Sequence, residues 1–184
     1  MDYTDMYIEV LQKRYANVRM MPILSWDVLA MSLAASQKQT GDRVDRSYFD
    51  RMHLYALAKT NNWKLGIDID KELSVPGNTI VVTNLQEEIQ YATAGFLEMT
   101  GYHPYEAIGK RPAQLLQGAD TSLETKKAIR ESISRLQPCT ATLVNYRKNG
   151  EPYFCKVSIS PVFDIYDRHV AFVAVECEVE DEAA

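Results

Sequence analysis

The strongest constraint on this chain is the punctuation of residues 89–118, IQYATAGFLEMTGYHPYEAIGKRPAQLLQG. Ile89 and Tyr91 alternate with polar neighbours, the pattern of a strand. Thr93 is then placed to cap a turn of helix carrying Phe96, Leu97 and Met99. Thr100-Gly101 stops that turn, because glycine reaches the left-handed conformation that helix C-termini favour. Pro104 restarts the chain, Gly109 stops it, and Pro112 restarts it again. Helices of one or two turns do not hold together alone in water, so this segment must pack onto something larger. Short helices laid over a sheet leave an interior between the layers, where a small ligand can sit.

From Thr79 the rhythm is that of strands: TIVVT, then EIQYA after a short polar link. Residues 121–136 read as the one long helix of this half, with Leu123, Ala128, Ile129, Ile133 and Leu136 toward one side. Three more strands are expected at 138–147, 151–163 and 169–179, with Asn149-Gly150 as the hairpin signal between the first two. In the middle one Tyr153, Cys155, Val157 and Ile159 face one way, and Lys156, Ser158 and Ser160 the other. The last strand is apolar on both faces, with Phe172 and Ala174 on one and Val173, Val175, Cys177 and Val179 on the other. A sheet with one wet face does not carry that pattern, so its outer face must also be covered.

The available cover lies upstream. Tyr3, Met6, Tyr7, Val10 and Leu11 share a helical face, and Ser25 caps a second helix carrying Trp26, Leu29, Ala30 and Leu33. Ser47 and Asp50 resemble a capping box for a third helix that carries Phe49, Met52, Tyr55, Ala56 and Lys59 and ends at Asn61-Asn62. Residues 63–73 read as a short connection with room for one turn of helix. Pro76-Gly77-Asn78 is a turn and the expected boundary, giving a helical extension over 1–76 and a second domain with a short acidic tail over 77–184. The expected class is α+β, a five-stranded antiparallel sheet with short helices on one face and the helical extension on the other.

Composition excludes several functions. A net charge of −5 gives no general attraction to phosphate backbones or anionic lipid. Residues 1–75 carry ten Lys or Arg and ten Asp or Glu, so the N-terminal helices lack the basic face of a DNA reader. Pairing with a protein partner or a second copy suits them better. The acidic start MDYTDMY is no secretory signal, and the apolar run at 170–175 is too short to span a bilayer. Cys139, Cys155 and Cys177 fall on expected strands without a CxxC, which fits free thiols in a cytoplasmic protein. His53, His103 and His169 are scattered, with no metal-ligand spacing. No nucleophile elbow or phosphate loop is present, and the adjacent Glu87-Glu88 point apart, so no enzyme class is supported.

The segment GFLEMTGYHPYEAIGKRPAQLLQG, followed by LVNYRKNGEPYFCKVSISPVFD, resembles the PAS domain, and within it the light-oxygen-voltage branch, over residues 79–179. The resemblance implies a sensory or regulatory module that couples a cavity, or the sheet surface, to association with partners. In the family's strand order Asn145, Cys155 and Glu176 would lie side by side across the inner face. Flavin-binding members place amide side chains there, against the edge of the flavin ring. Asn145 matches, Cys155 stands in place of an Asn, and Glu176 in place of a Gln. The family's reactive cysteine belongs in the short helix before Gln117-Gly118, where this chain has RPAQLL, one residue longer and without a thiol. The arginine beside that cysteine, which holds the flavin phosphate, is also missing, with Gln114 nearest. Arg130 does match a phosphate-binding position. These departures speak against thiol-adduct photochemistry, and the absence of histidine from the long helix speaks against haem.

Asn145, Cys155, Glu176, Gln117 and Arg130 are therefore the candidate pocket residues, for a ligand the sequence does not identify. Each has a plainer reading. Asn145 could tie a strand to a helix, Cys155 could be a small core residue, and Arg130 could sit on a solvated helix face. Glu176 either serves a ligand or reaches solvent at a strand end, because a carboxylate in a closed interior must be paired, protonated or wet. No output module is read after the last strand, so a signal is expected to leave through a partner or through dimerisation. The rival expectations are a ligand-free interaction module with a filled core, and a flavoprotein without the thiol adduct.

Overall fold

A computed structural model describes residues 46–180. The helices expected over residues 3–15 and 25–33 lie outside the described residues. The chain divides into two units between Leu57 and Ala58, and helix α1 (Arg46–Asn61) runs through that point. Ser47 does not cap α1 as expected. It is already inside the helix, and its hydroxyl accepts from Arg51 Nη1 one turn on, at 2.6 Å. At the far end Asn62 takes a φ of 56° and donates its N–H to Lys59 O, the left-handed exit that asparagine tolerates.

The second unit contains β1 (Trp63–Lys64), α2 (Ile69–Ser74), β2 (Thr79–Thr83) and β3 (Ile89–Ala92). The short helices α3 (Gly95–Thr100), α4 (Pro104–Ala107) and α5 (Pro112–Leu116) come next, then α6 (Leu123–Ser134). The chain closes with β4 (Cys139–Tyr146), β5 (Pro152–Asp164) and β6 (His169–Val179). All pairings are antiparallel, in the order β3-β2-β6-β5-β4, so the first long strand lies beside the last. To the five expected strands the structure adds β1, which pairs Trp63 with Asp164 and Lys64 with Phe163 at the end of β5. Two residues are too few to show a period, which is why sequence alternation cannot reveal them.

Both faces of the sheet centre are apolar, as the last strand implied. β2 is buried along its whole length. Ile80, Val82 and Val173, on the face away from the short helices, are fully buried. On the other face Val81, Ile89 and Ala92 pack with Phe96, Ala107, Ile108 and Leu116. Each such large side chain contributes about 1.5–3 kcal/mol by leaving water.

That packing holds helices too short to stand alone, and hydrogen bonds fix their ends. Gly101, at a φ of 73°, ends α3 with its N–H on Leu97 O. Ile89 donates to Lys110 O at 2.9 Å and accepts from Gly109 N–H at 2.7 Å, which fastens the α4–α5 link to the edge of β3. The β4–β5 link clamps the other side. Arg147 Nη1 donates to Met99 O, Lys148 N–H to Thr100 O, and Lys148 Nζ pairs with Glu106 at 2.7 Å.

A second expected cap is corrected. The Thr93 hydroxyl accepts from Ile80 N–H across the sheet at 2.9 Å and leaves Ala94 as the N-cap of α3. α6 is capped by Ser122, while Thr121 donates to Val144 O at 2.6 Å and accepts from Gly118 N–H at 2.9 Å. The expected apolar side of α6 is also narrower than five residues. Leu123 is 80% exposed and Ala128 is exposed, so Ile129 and Ile133 alone turn toward the interior.

Gly118 is required by contact. A Cβ there would enter the ring of Tyr146, which is pinned because its hydroxyl donates to Asp120 Oδ2 and accepts from Asp120 N–H. Gly118→Ala is expected to cost about 2 kcal/mol, as overpacking does, measured by urea denaturation against wild type. An unchanged midpoint would show that the Tyr146 ring is free to move.

Candidate functional site

A cavity of about 120 Å³ lies between the inner face of the sheet and helices α5 and α6. Leu143, Val157, Ile159 and Phe172 form its apolar floor, and Leu116, Ile129 and Ile133 its roof. The exposed residues of its lining are Glu87, on the β2–β3 link, and Ala113, near the start of α5, which mark its open side. Glu87 takes a φ of 62° and donates its N–H to Asn84 O, closing the tight link that brings it there.

Four of the five candidate residues line this cavity: Asn145 on β4, Cys155 on β5, Glu176 on β6 and Gln117 after α5. Arg130 does not. Successive helix residues turn by about 100°, so directing Ile129 and Ile133 inward leaves Arg130 exposed. The three strand residues share a face but are not side by side. Asn145 stands opposite Tyr153, Cys155 opposite Leu143 and Glu178, and Glu176 opposite Val157 and Thr79. The row is therefore oblique, crossing the sheet with a step of two residues per strand.

Glu176 does not reach solvent. Only 5% of it is exposed, and its Oε2 has no hydrogen-bond partner. Burial alone pushes its carboxyl up to about 7. Asn145 is equally buried, and its Oδ1 is also without a partner. Cys155 is fully buried between them, and its thiol is pushed up by burial first and by Glu176 second. That keeps it protonated and a poor nucleophile, in agreement with its reading as a small core residue. The Tyr153 hydroxyl is raised in the same way, because burial outweighs the pull of Asn145 and Arg147.

Sequence reasoning missed Thr79. It is buried opposite Glu176, and its hydroxyl is also left without a partner. The alternation Thr79, Val81, Thr83 could have placed it, but only once β2 was known to lie beside β6. Among the described residues, no three His, Cys, Asp or Glu side chains gather as metal ligands. None of the residues that line the cavity is Lys, Arg or His, whereas two, Glu87 and Glu176, are acidic.

The donor set can be tested against a flavin mononucleotide. Asn145 and Gln117 offer amides suited to a ring edge, but the lining supplies no cation for a phosphate, and α5 reads PAQLL without a thiol. The residues present therefore do not fit the phosphorylated cofactor.

The Glu176 shift has a stability consequence. A carboxyl whose folded value lies above its ordinary 4.5 holds a proton that the unfolded chain has released, so folding stability falls as pH rises from 4.5 to about 7. Glu176→Gln removes this penalty. The variant is expected to gain about 3 kcal/mol over wild type near pH 8 and nothing near pH 4, measured by denaturation at both pH values. An equal gain at both would locate the effect in packing instead of charge.

Comparison with known proteins places the fold. The family model described as PAS domain matches residues 77–181. Phototropin-2 of Oryza sativa subsp. japonica is 35% identical over 91 residues, half of this chain and 10% of its own length. A blue-light photoreceptor of Listeria innocua is 33% identical over 115 residues, 61% of this chain and 45% of its own length. The solved dark structure of the Aureochrome1 light-oxygen-voltage domain superposes with a TM-score of 0.58 at 26% identity, covering 64% of this chain and 86% of that one. The chain thus spans less than half the length of these two curated relatives. With its sheet order, its short helices and a family match over more than half its length, the chain belongs to the PAS domain family.

Proposed function

We propose that this PAS sensory module binds a small ligand in the cavity between the sheet and helices α5 and α6, and passes its presence to a protein partner or a second copy. The observation that carries the reading is the cavity itself, lined by Glu176 and Asn145, each of which has a buried oxygen, Oε2 and Oδ1, without a partner. Buried polar groups are almost always satisfied, and the unsatisfied ones in native proteins concentrate where something else is to bind. A filled inner face, which a pure interaction module would show, is not what the lining residues form.

The mechanism is a shift in population between two packings. Glu176 lies on β6, which pairs with β2 on one edge and β5 on the other, so a ligand on its carboxyl acts on the middle of the sheet. The roof residues Leu116, Ile129 and Ile133 lie on elements that the same ligand would lift or draw in. The proposed route outward is the opposite sheet face and the N-terminal helices, toward a homodimer or signalling partner in the cytoplasm, without nucleic acid, membrane or catalysis. Residues 77–184 are the proposed sensor and 1–76 the proposed helical extension.

Full-length protein, purified and then denatured, is expected to release a small molecule detectable by mass spectrometry. A Val157→Phe variant, which fills the cavity floor, should release less or none. Equal release from both would remove the cavity from the reading. A flavin is the second candidate, because the relatives above include proteins named as blue-light photoreceptors. The uncharged or acidic lining favours a preparation from a flavin-replete host that shows no flavin absorption, whereas a yellow preparation with extractable flavin would favour that candidate.

A further inference from the structure

We propose that the cavity is built for a small cationic ligand, an amine or amidine carried on a single apolar ring, with its nitrogen on Glu176. This deepens the reading of the cavity as a ligand site and rests on it. Three observations carry the ligand class. Two lining residues, Glu176 and Asn145, each have a buried acceptor oxygen without a partner, Oε2 and Oδ1, and both residues are 95% buried, at 5% exposure each. They call for N–H donors.

The charges agree. Glu176 at the floor and Glu87 at the mouth are the two ionisable carboxyls in the lining, with no Lys, Arg or His among the described residues there. A buried carboxylate without a cation is unstable, and a cation entering from outside supplies what the fold withholds. An anion would meet two like charges and no donor of positive charge. Glu87, being exposed, raises the local concentration of cations at the entrance.

The size limits the ligand to a single ring. An engineered cavity of about 150 Å³ holds one benzene ring, and this one is about 120 Å³, so a ring carrying a polar group must extend toward the exposed lining residues Glu87 and Ala113. The surrounding side chains Leu116, Ile133, Val157 and Phe172 give the ring an apolar enclosure. Tyr153 and Cys155, which both feel the Glu176 carboxyl, are held neutral by burial and do not compete for the cation.

The test uses three probes of one shape and different charge: benzamidine, benzamide and benzoate, titrated into full-length protein by calorimetry at about pH 8, where Glu176 is largely ionised. Benzamidine is expected to bind at least about tenfold more tightly than benzamide, as a charge-assisted hydrogen bond confers, and benzoate more weakly than either. Glu176→Gln should reduce the benzamidine preference to about threefold or less while leaving benzamide bound. Equal binding of all three, or tightest binding of benzoate, would overturn the ligand class but leave a ligand cavity standing. Binding of none, in wild type and variant alike, would overturn the class together with the cavity reading.

Discussion

Placing Glu176 on β6, a strand paired along both edges, removes its carboxyl from water, and nothing beside it offsets the cost. Thr79 and Val157 stand opposite, Cys155 and Tyr153 are neutral, and Arg147 is engaged elsewhere, held by Glu178, by Met99 O and over the ring of Tyr153. An ion in such a place is stabilised by a partner or loses its charge. The raised carboxyl follows from that, and so does the demand for a donor from outside. An apolar residue at this position would close the inner face and stabilise the domain. Keeping an acid there makes sense when the stability lost is recovered on binding.

The helices over that acid are arranged to respond to it. α3, α4 and α5 have six, four and five residues, and none would persist apart from the sheet. α3 and α4 are fixed firmly, by the Arg147 and Lys148 contacts and by the Phe96 cluster. α6 has no buried residue and meets the cavity through Ile129 and Ile133, and α5 buries Leu116 alone. A ligand that adds contacts to Leu116, Ile129 and Ile133 acts on both of these helices at once.

Much of this was legible in the residues because it rests on local rules. Gly101 and Gly109 both adopt positive φ, as their places after short helices implied, and Pro104 and Pro112 open α4 and α5. The alternation through Tyr153, Cys155 and Val157 gave the inner face, and the double-sided pattern of β6 foretold burial on both sides. What was not legible depends on register between distant strands. Alternation says which face Asn145, Cys155 and Glu176 share. It does not say that each step across the sheet also moves two residues along it, nor that Thr79 meets Glu176. The Thr93 hydroxyl was likewise ambiguous: it looks like a helix cap, but the buried Ile80 N–H of β2 takes its hydrogen bond first. Arg130 was placed by resemblance, and the phase of α6 turns it to solvent.

The most direct measurement is the ¹³C NMR titration of the Glu176 carboxyl in the intact protein, assigned by its loss in Glu176→Gln. A midpoint at about 7 is the expected result for a desolvated acid with a buried, unpaired oxygen. A midpoint at the ordinary 4.5 would mean that water or a cation already reaches the group, and would contradict the buried acid on which the sensor rests.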